Sequence, residues 1–276
     1  MESKLPFGLK NGLIVEVSQV ERGLECGCIC PVCKQALIAR KGSKTVHHFA
    51  HYKAAECAGA AETALHQAAK DILERSKKIL LPAVMTSLGY SDGQSICLYP
   101  KQILHFRKVF LEKRLDTIIP DIIIQVNSRQ LIIEITVTHA IDRVKMNRIR
   151  KLNVSTLEID LSKEIQPLTL TEFEKVLIYG LAHKNWIFNS KREAIIDEIR
   201  SYGKALRLYY RNVYKCPFIR DNQLNKKYAD LLDDCFCCDY LLHINGEKAR
   251  IEKNIICAGH AKKEIDQIVS RYKNYN

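Results

Sequence analysis

The sequence predicts an α/β protein in which a mixed strand-and-helix core is flanked on each side by a small cysteine-rich module. Three observations predict it. Across residues 116–161 the apolar residues recur first every two positions, then about every 3.6, then every two again, as in strand, strand, helix and strand. Cysteine and histidine cluster at 26–57 and again at 216–260. The composition, 47% apolar and 27% charged over 276 residues, suits a soluble globular chain with one main domain and smaller modules. The expected boundaries are 1–58, 59–166 and 167–276.

No apolar run approaches the length of a membrane span, and MESKLPFGLKNG lacks the anatomy of a signal peptide, so a cytoplasmic protein without membrane association is expected. The formal charge of +12 is spread along the chain rather than gathered in a tail. It favours a polyanionic partner. Eleven cysteines in a chain of this kind point to metal ligation rather than to a disulfide framework.

Taken in order, Gly12–Val17 reads as a strand, followed by Cys26-Gly-Cys28-Ile-Cys30-Pro-Val-Cys33. Two residues between Cys30 and Cys33 let both thiolates reach one tetrahedral zinc ion. His47, His48, His51 and Cys57 follow; His51 with Cys57 is the first choice to complete the site, and His48 is the substitute. Cys26 and Cys28 are the weaker ligand candidates.

Residues 61–75 are rich in good helix formers, with Glu62, Leu65, His66, Ala69 and Leu73 on one face. Leu80-Leu81-Pro82 ends this segment, Gly89–Gly93 is a loop, and Ile96–Tyr99 is a strand. Lys101, Arg107, Lys108, Lys113 and Arg114 make a loose basic run suited to a phosphate backbone or to a solvated strand face.

The core then reads as a hairpin, 121–126 and 131–138 around a turn at Asn127-Ser128-Arg129, a helix from Ile141 to Leu152 closed by Asn153, and a strand over 156–161. Asp121 and Glu134 are acids set against apolar strands. A carboxylate facing a core is costly unless paired, protonated or bound to a cation, so the two suggest a metal-binding pair. On the following helix Lys145 and Arg148 fall on the apolar face, whereas Arg143, Arg150 and Lys151 fall outside it.

Residues 171–180 and 190–209 read as helices. Cys216, Cys235, Cys238 and Cys257 then offer a second zinc site, with Cys237 and His260 as spare ligands. Residues 210–276 are expected to be a small metal-stabilised module.

Pro120-Asp121 followed by Glu134-x-Thr136 resembles the PD-(D/E)xK nuclease core, with Thr136 where that motif carries its lysine. Cys30-x2-Cys33, Leu37–Gly42, His48-Phe49-Ala50-His51, Glu62-x3-His66-x3-Lys70, Pro120-Asp121, Ile133-Glu134-Ile135, Val137-Thr138-His139, Lys145 and Glu158–Ser162 together resemble the competence protein CoiA-like family over residues 26–162. The resemblance implies a zinc-finger-like module before a restriction-endonuclease-like domain, and action on DNA. It places a Mg²⁺ or Mn²⁺ site on Asp121 and Glu134, with Glu62 as a third acid. Lys145, turned toward the sheet, is the candidate to replace the motif lysine. The alternatives are a non-catalytic DNA-binding accessory protein that keeps this fold, and a nuclease directed at RNA.

Overall fold

The computed structural model describes residues 5–44, 46–53, 57, 59–87, 89, 95–138, 141–162, 169–219, 227–245 and 252–272. The chain forms two compact units, one of residues 1–82 with 102–188 and one of 83–101 with 189–276. Each is mixed α/β and built from small sheets.

The first unit is organised by a five-stranded sheet in the order Lys184–Phe188, Thr156–Asp160, Arg129–Thr136, Ile122–Val126 and Lys108–Leu111. Its pairs are antiparallel except Arg129–Thr136 with Thr156–Asp160, which run parallel. A parallel pair needs a crossover, supplied here by helix α2, Arg143–Leu152, as the change of period predicts. Asp142 caps it by accepting from the Lys145 amide at 2.6 Å, and Asn153 ends it in the left-handed region at φ 53°.

Alternation along the strands sends side chains to two different layers. Ile122, Ile124, Ile133, Ile135, Leu157 and Ile159 bury one face beneath helix α1, Ala60–Ser76, and helix α3, Leu170–Tyr179. Ile132 faces the other way, against Ile149 of α2 and Phe188. Glu134 and Thr136, two and four residues beyond Ile132, share its face, and parallel register sets Glu134 beside Glu158 and Thr136 beside Asp160. Glu134, Glu158 and Asp160 therefore lie on the α2 side of the sheet.

The N-terminal module belongs to the same unit. The hairpin Phe7–Lys10 with Leu13–Glu16 joins the core through Phe7, whose ring lies 5.6 Å from that of Phe173. A second hairpin pairs Leu37–Arg40 with His48–His51. Although α3 and the strand Lys184–Phe188 follow residue 166, they pack into this unit. Lys184 is buried and donates at 2.8 Å to the Ile178 carbonyl in the last turn of α3.

The second unit holds an antiparallel sheet in the order Tyr228–Asp230, Asn212–Tyr214, Lys204–Tyr209, Glu252–Cys257 and Leu241–Asn245. It also contains the hairpin Val84–Ser87 with Ser95–Tyr99, helix α4, Ser190–Ser201, and helix α5, Lys262–Ser270. The single helix expected over 190–209 is corrected here. It stops at Ser201, and Lys204–Tyr209 is a strand at the centre of the sheet. Gly203 makes the break: a Cβ there would lie 2.6 Å from Ile256 Cγ2 and 3.0 Å from the Arg200 carbonyl. Beyond it Leu206 and Leu208 alternate inward, and the strand pairs with residues some fifty positions away. Residues 90–94 of the expected 89–93 loop and its edge lie outside the described residues.

Candidate functional site

On the α2 face of the first sheet, Glu134 has a side chain 3% exposed, and its Oε2 accepts from Lys145 Nζ at 2.7 Å. Its other oxygen, Oε1, is buried and has no hydrogen-bond partner. Burial pushes this carboxyl up to about 7, and the Asp121 charge pushes it the same way; Lys145 and the Asp121 backbone pull against them. Strand position explains the burial and helix position explains the lysine. Lys145 is on the first turn of α2, and its side chain returns to the sheet the helix has just left.

Asp121 sits in the bend before Ile122–Val126. Its Oδ2 accepts from the Ile135 amide at 2.8 Å, which ties it to the strand that carries Glu134. Its Oδ1 is 3.7 Å from both His66 Nδ1 and Lys70 Nζ. These two come from successive turns of α1; His66 is on the helix face marked in the sequence, and Lys70 follows it in the Glu62-x3-His66-x3-Lys70 spacing. Lys70 is buried and donates to Glu112 at 2.6 Å, which holds the Glu112 carboxyl below its ordinary range. Burial lowers the His66 pKa, opposed by the Asp121 charge and more weakly by Glu62. Glu62 is thus in electrostatic reach of His66, one turn away at the start of α1.

Thr136, two residues beyond Glu134 on the same strand face, is buried and donates through Oγ1 to Glu158 Oε1 at 2.8 Å. Glu158 is the acid that sequence reading gave no role of its own. The signal was present in the acid set between two apolar residues in Leu157-Glu158-Ile159, but its partner depends on the parallel register. Arg148 points back to the Thr117 carbonyl at 3.3 Å. His139 lies outside the described residues. Glu62, Asp121 and Glu134 do not form a group of three ligand atoms within 4.8 Å; among the described residues the Cys30, Cys33, His51 and Cys57 set alone does.

That set has the chemistry of a structural zinc site, three thiols and an imidazole. Cys33 Sγ is 3.3 Å from His51 Nε2. The knuckle turn is closed by the Lys34 amide on the Cys30 carbonyl at 3.1 Å, and the Val32 amide points at Cys30 Sγ at 3.4 Å. The Gln35 backbone holds the Cys33 pKa below its ordinary value. His51 ends a strand, which aims it at the turn. His48, the substitute ligand, instead hydrogen-bonds the Val46 carbonyl through Nδ1 at 2.8 Å. Cys26 and Cys28 are buried thiols whose sulfurs donate to the Leu37 and Cys26 carbonyls.

Arg107, Lys108, Lys113 and Arg114 are exposed on and beside the edge strand Lys108–Leu111, which pairs with Ile122–Val126. Lys113 Nζ stands 4.4 Å over the Phe110 ring. Among the described residues, no helix is long and apolar enough to cross a membrane.

A mixed α/β chain with a four-ligand cysteine and histidine centre near its N-terminus is the class that fold and site define. Residues 16–60 match the family described as Competence protein CoiA, N-terminal domain, which supports a CoiA-like family for the chain. No curated protein and no solved structure gives a significant match.

Proposed function

We propose that the chain is a metal-dependent nuclease that hydrolyses DNA phosphodiester bonds on a restriction-endonuclease-like core, with zinc holding its N-terminal module together. The observation that carries this reading is the buried Glu134 carboxylate: Lys145 holds one oxygen, the other has no partner, and Asp121 stands beside it. A buried acid with a free oxygen next to a second acid is a donor set suited to a hard divalent cation. Asp121 and Glu134 would hold Mg²⁺ or Mn²⁺, which when bound polarises a phosphate oxygen and acidifies a coordinated water.

The chain's own groups supply the rest. Lys145 places a positive charge where negative charge builds on the phosphate, a role Thr136 cannot fill. The Ile135 amide fixes the Asp121 carboxylate, and His66 and Lys70 hold its other oxygen in a defined field. Arg107, Lys108, Lys113 and Arg114 offer charge to the nucleic-acid backbone.

A second reading, a non-catalytic DNA-binding protein, is favoured by the Lys145–Glu134 pair, which commits the lysine charge to the protein's own carboxylate. Incubating purified protein with single- and double-stranded DNA and RNA, in Mn²⁺ or in EDTA, separates the readings. Cleavage of DNA that EDTA abolishes supports the nuclease; binding without cleavage supports the second reading; preferential cleavage of RNA changes the substrate.

A further inference from the structure

The second unit contains a cavity of about 290 Å³ lined by Cys237 and, from three separate stretches, by four further cysteines, Cys216, Cys235, Cys238 and Cys257. We propose that these four thiols bind a second structural zinc ion, which ties the sheet of this unit to the turn at Leu231–Cys235. The claim is independent of any nuclease activity.

The fold brings the four together through specific contacts. Cys257 ends a sheet strand, in register with Leu241. Cys235 and Cys238 form a turn closed by the Cys238 amide on the Cys235 carbonyl at 3.0 Å, and Cys216 opens another, closed by the Ile219 amide at 3.3 Å. Gly259 then allows the chain after Cys257 to lie against the chain after Cys216. A Cβ at 259 would stand 2.7 Å from the Phe218 ring and 3.0 Å from Pro217.

The backbone around the sulfurs is arranged as in the first centre. There, the amide two residues on from Cys30 points at its sulfur, and the backbone two residues on from Cys33 does the same. Here the Gly259 amide points at Cys257 Sγ at 3.3 Å, and the Tyr240 backbone at Cys238. The same spacing on two unrelated stretches is a metal-site device rather than a packing accident.

Much of the cavity wall is apolar, with Leu206, Val213, Leu241 and Ile255 among its lining residues. Four thiols around such a space, without an ion, would leave weak donors facing a void in a small core. No three of these sulfurs lie within 4.8 Å of one another. Zinc–sulfur bonds of about 2.3 Å would draw them inward and close the space. The geometry also chooses among the spare ligands: Cys237 donates to the Asp233 carbonyl at 3.3 Å, and His260 is exposed outside the cavity.

The test is zinc content of the full chain by elemental mass spectrometry. Wild type should carry about two ions per chain. Cys235→Ser and Cys257→Ser should each carry about one, and Cys237→Ser two. Should the serine variants fail to fold, cadmium-substituted wild type gives the answer by cadmium NMR. Two resonances, one in the tetrathiolate range and one in the range of three thiolates and an imidazole, are expected. One zinc per wild-type chain, a single cadmium resonance, or loss of the same ion in Cys237→Ser would overturn the proposal.

Discussion

Lys145 Nζ and Glu134 Oε2 lie 2.7 Å apart, a direct ion pair between the first turn of a crossover helix and the strand beneath it. Helical spacing alone turned this lysine toward the sheet, and the structure puts it on the very acid it was expected to serve. The pair has a cost for mutagenesis. Removing Lys145 leaves a buried carboxylate without its cation, so Lys145→Ala should lose about 1–3 kcal/mol of stability. That is less than the full buried-pair loss because the lysine keeps 31% exposure. Turnover of the folded variant should fall by about 10²–10³-fold. The double variant Lys145→Met with Glu134→Gln should recover stability but not turnover. Denaturant titration and initial rates, with Lys151→Ala as the outward control, check both halves.

Glu134 makes folding sensitive to pH in buffer free of divalent ions. Its carboxyl titrates near about 7 in the folded chain, against an ordinary 4.5. Between those values the folded state holds a proton that the unfolded state has lost, so stability falls as pH rises through that window. Glu134→Gln should remove this contribution. Its stability relative to wild type should therefore improve between pH 5 and pH 8, by about 3 kcal/mol at most. Denaturation curves in EDTA at the two pH values measure the difference; an unchanged difference means that Glu134 is not held as described.

The N-terminal centre predicts which cysteines matter. Cys30→Ser or Cys57→Ser should remove about one zinc per chain and lower solubility, because structural zinc contributes folding free energy directly. Cys26→Ser should retain the metal, since that sulfur is spent on the Leu37 carbonyl. Metal analysis of the three variants decides it. Equal zinc loss in Cys26→Ser would mean that the ligand set is wrong.

If the exposed cations at Arg107, Lys108, Lys113 and Arg114 meet a phosphate backbone, DNA affinity should fall steeply with salt. Each alanine substitution should then shallow the logarithmic salt slope by roughly one. Fluorescence anisotropy over a salt series reads this. Slopes identical to wild type in all four variants would remove these residues from the interface.

Much of this arrangement was legible because it rests on local rules. The helix from α1's Ala60 to Ser76, the hairpin around Asn127 and the closure of α2 at Asn153 all follow from propensity, turn residues and a left-handed cap. The Cys30 and Cys33 pair was readable from knuckle spacing, with His51 and Cys57 the first choice to complete it, whereas the choice of His51 over His48 rests on the strand that aims it. What escaped depends on partners distant in sequence. Lys204–Tyr209 is a strand because Glu252–Cys257 pairs with it, which no local period reveals. Glu158 acquires a place only through parallel register with Glu134 and a bond from Thr136. Lys70 is buried because Glu112 and Asp121 meet it from elements outside its own helix.

The central claim is that Asp121 and Glu134 support phosphodiester hydrolysis. Its most direct test is a comparison of DNA binding and DNA cleavage in Mn²⁺ for wild type and Asp121→Asn, with folding checked by circular dichroism. Wild type should cleave, and the folded variant should bind DNA at least as tightly, having lost a negative charge near the phosphates, yet should not cleave. Equal cleavage by Asp121→Asn, or a wild type that binds DNA and never cuts it, would rule out hydrolysis at Asp121 and Glu134.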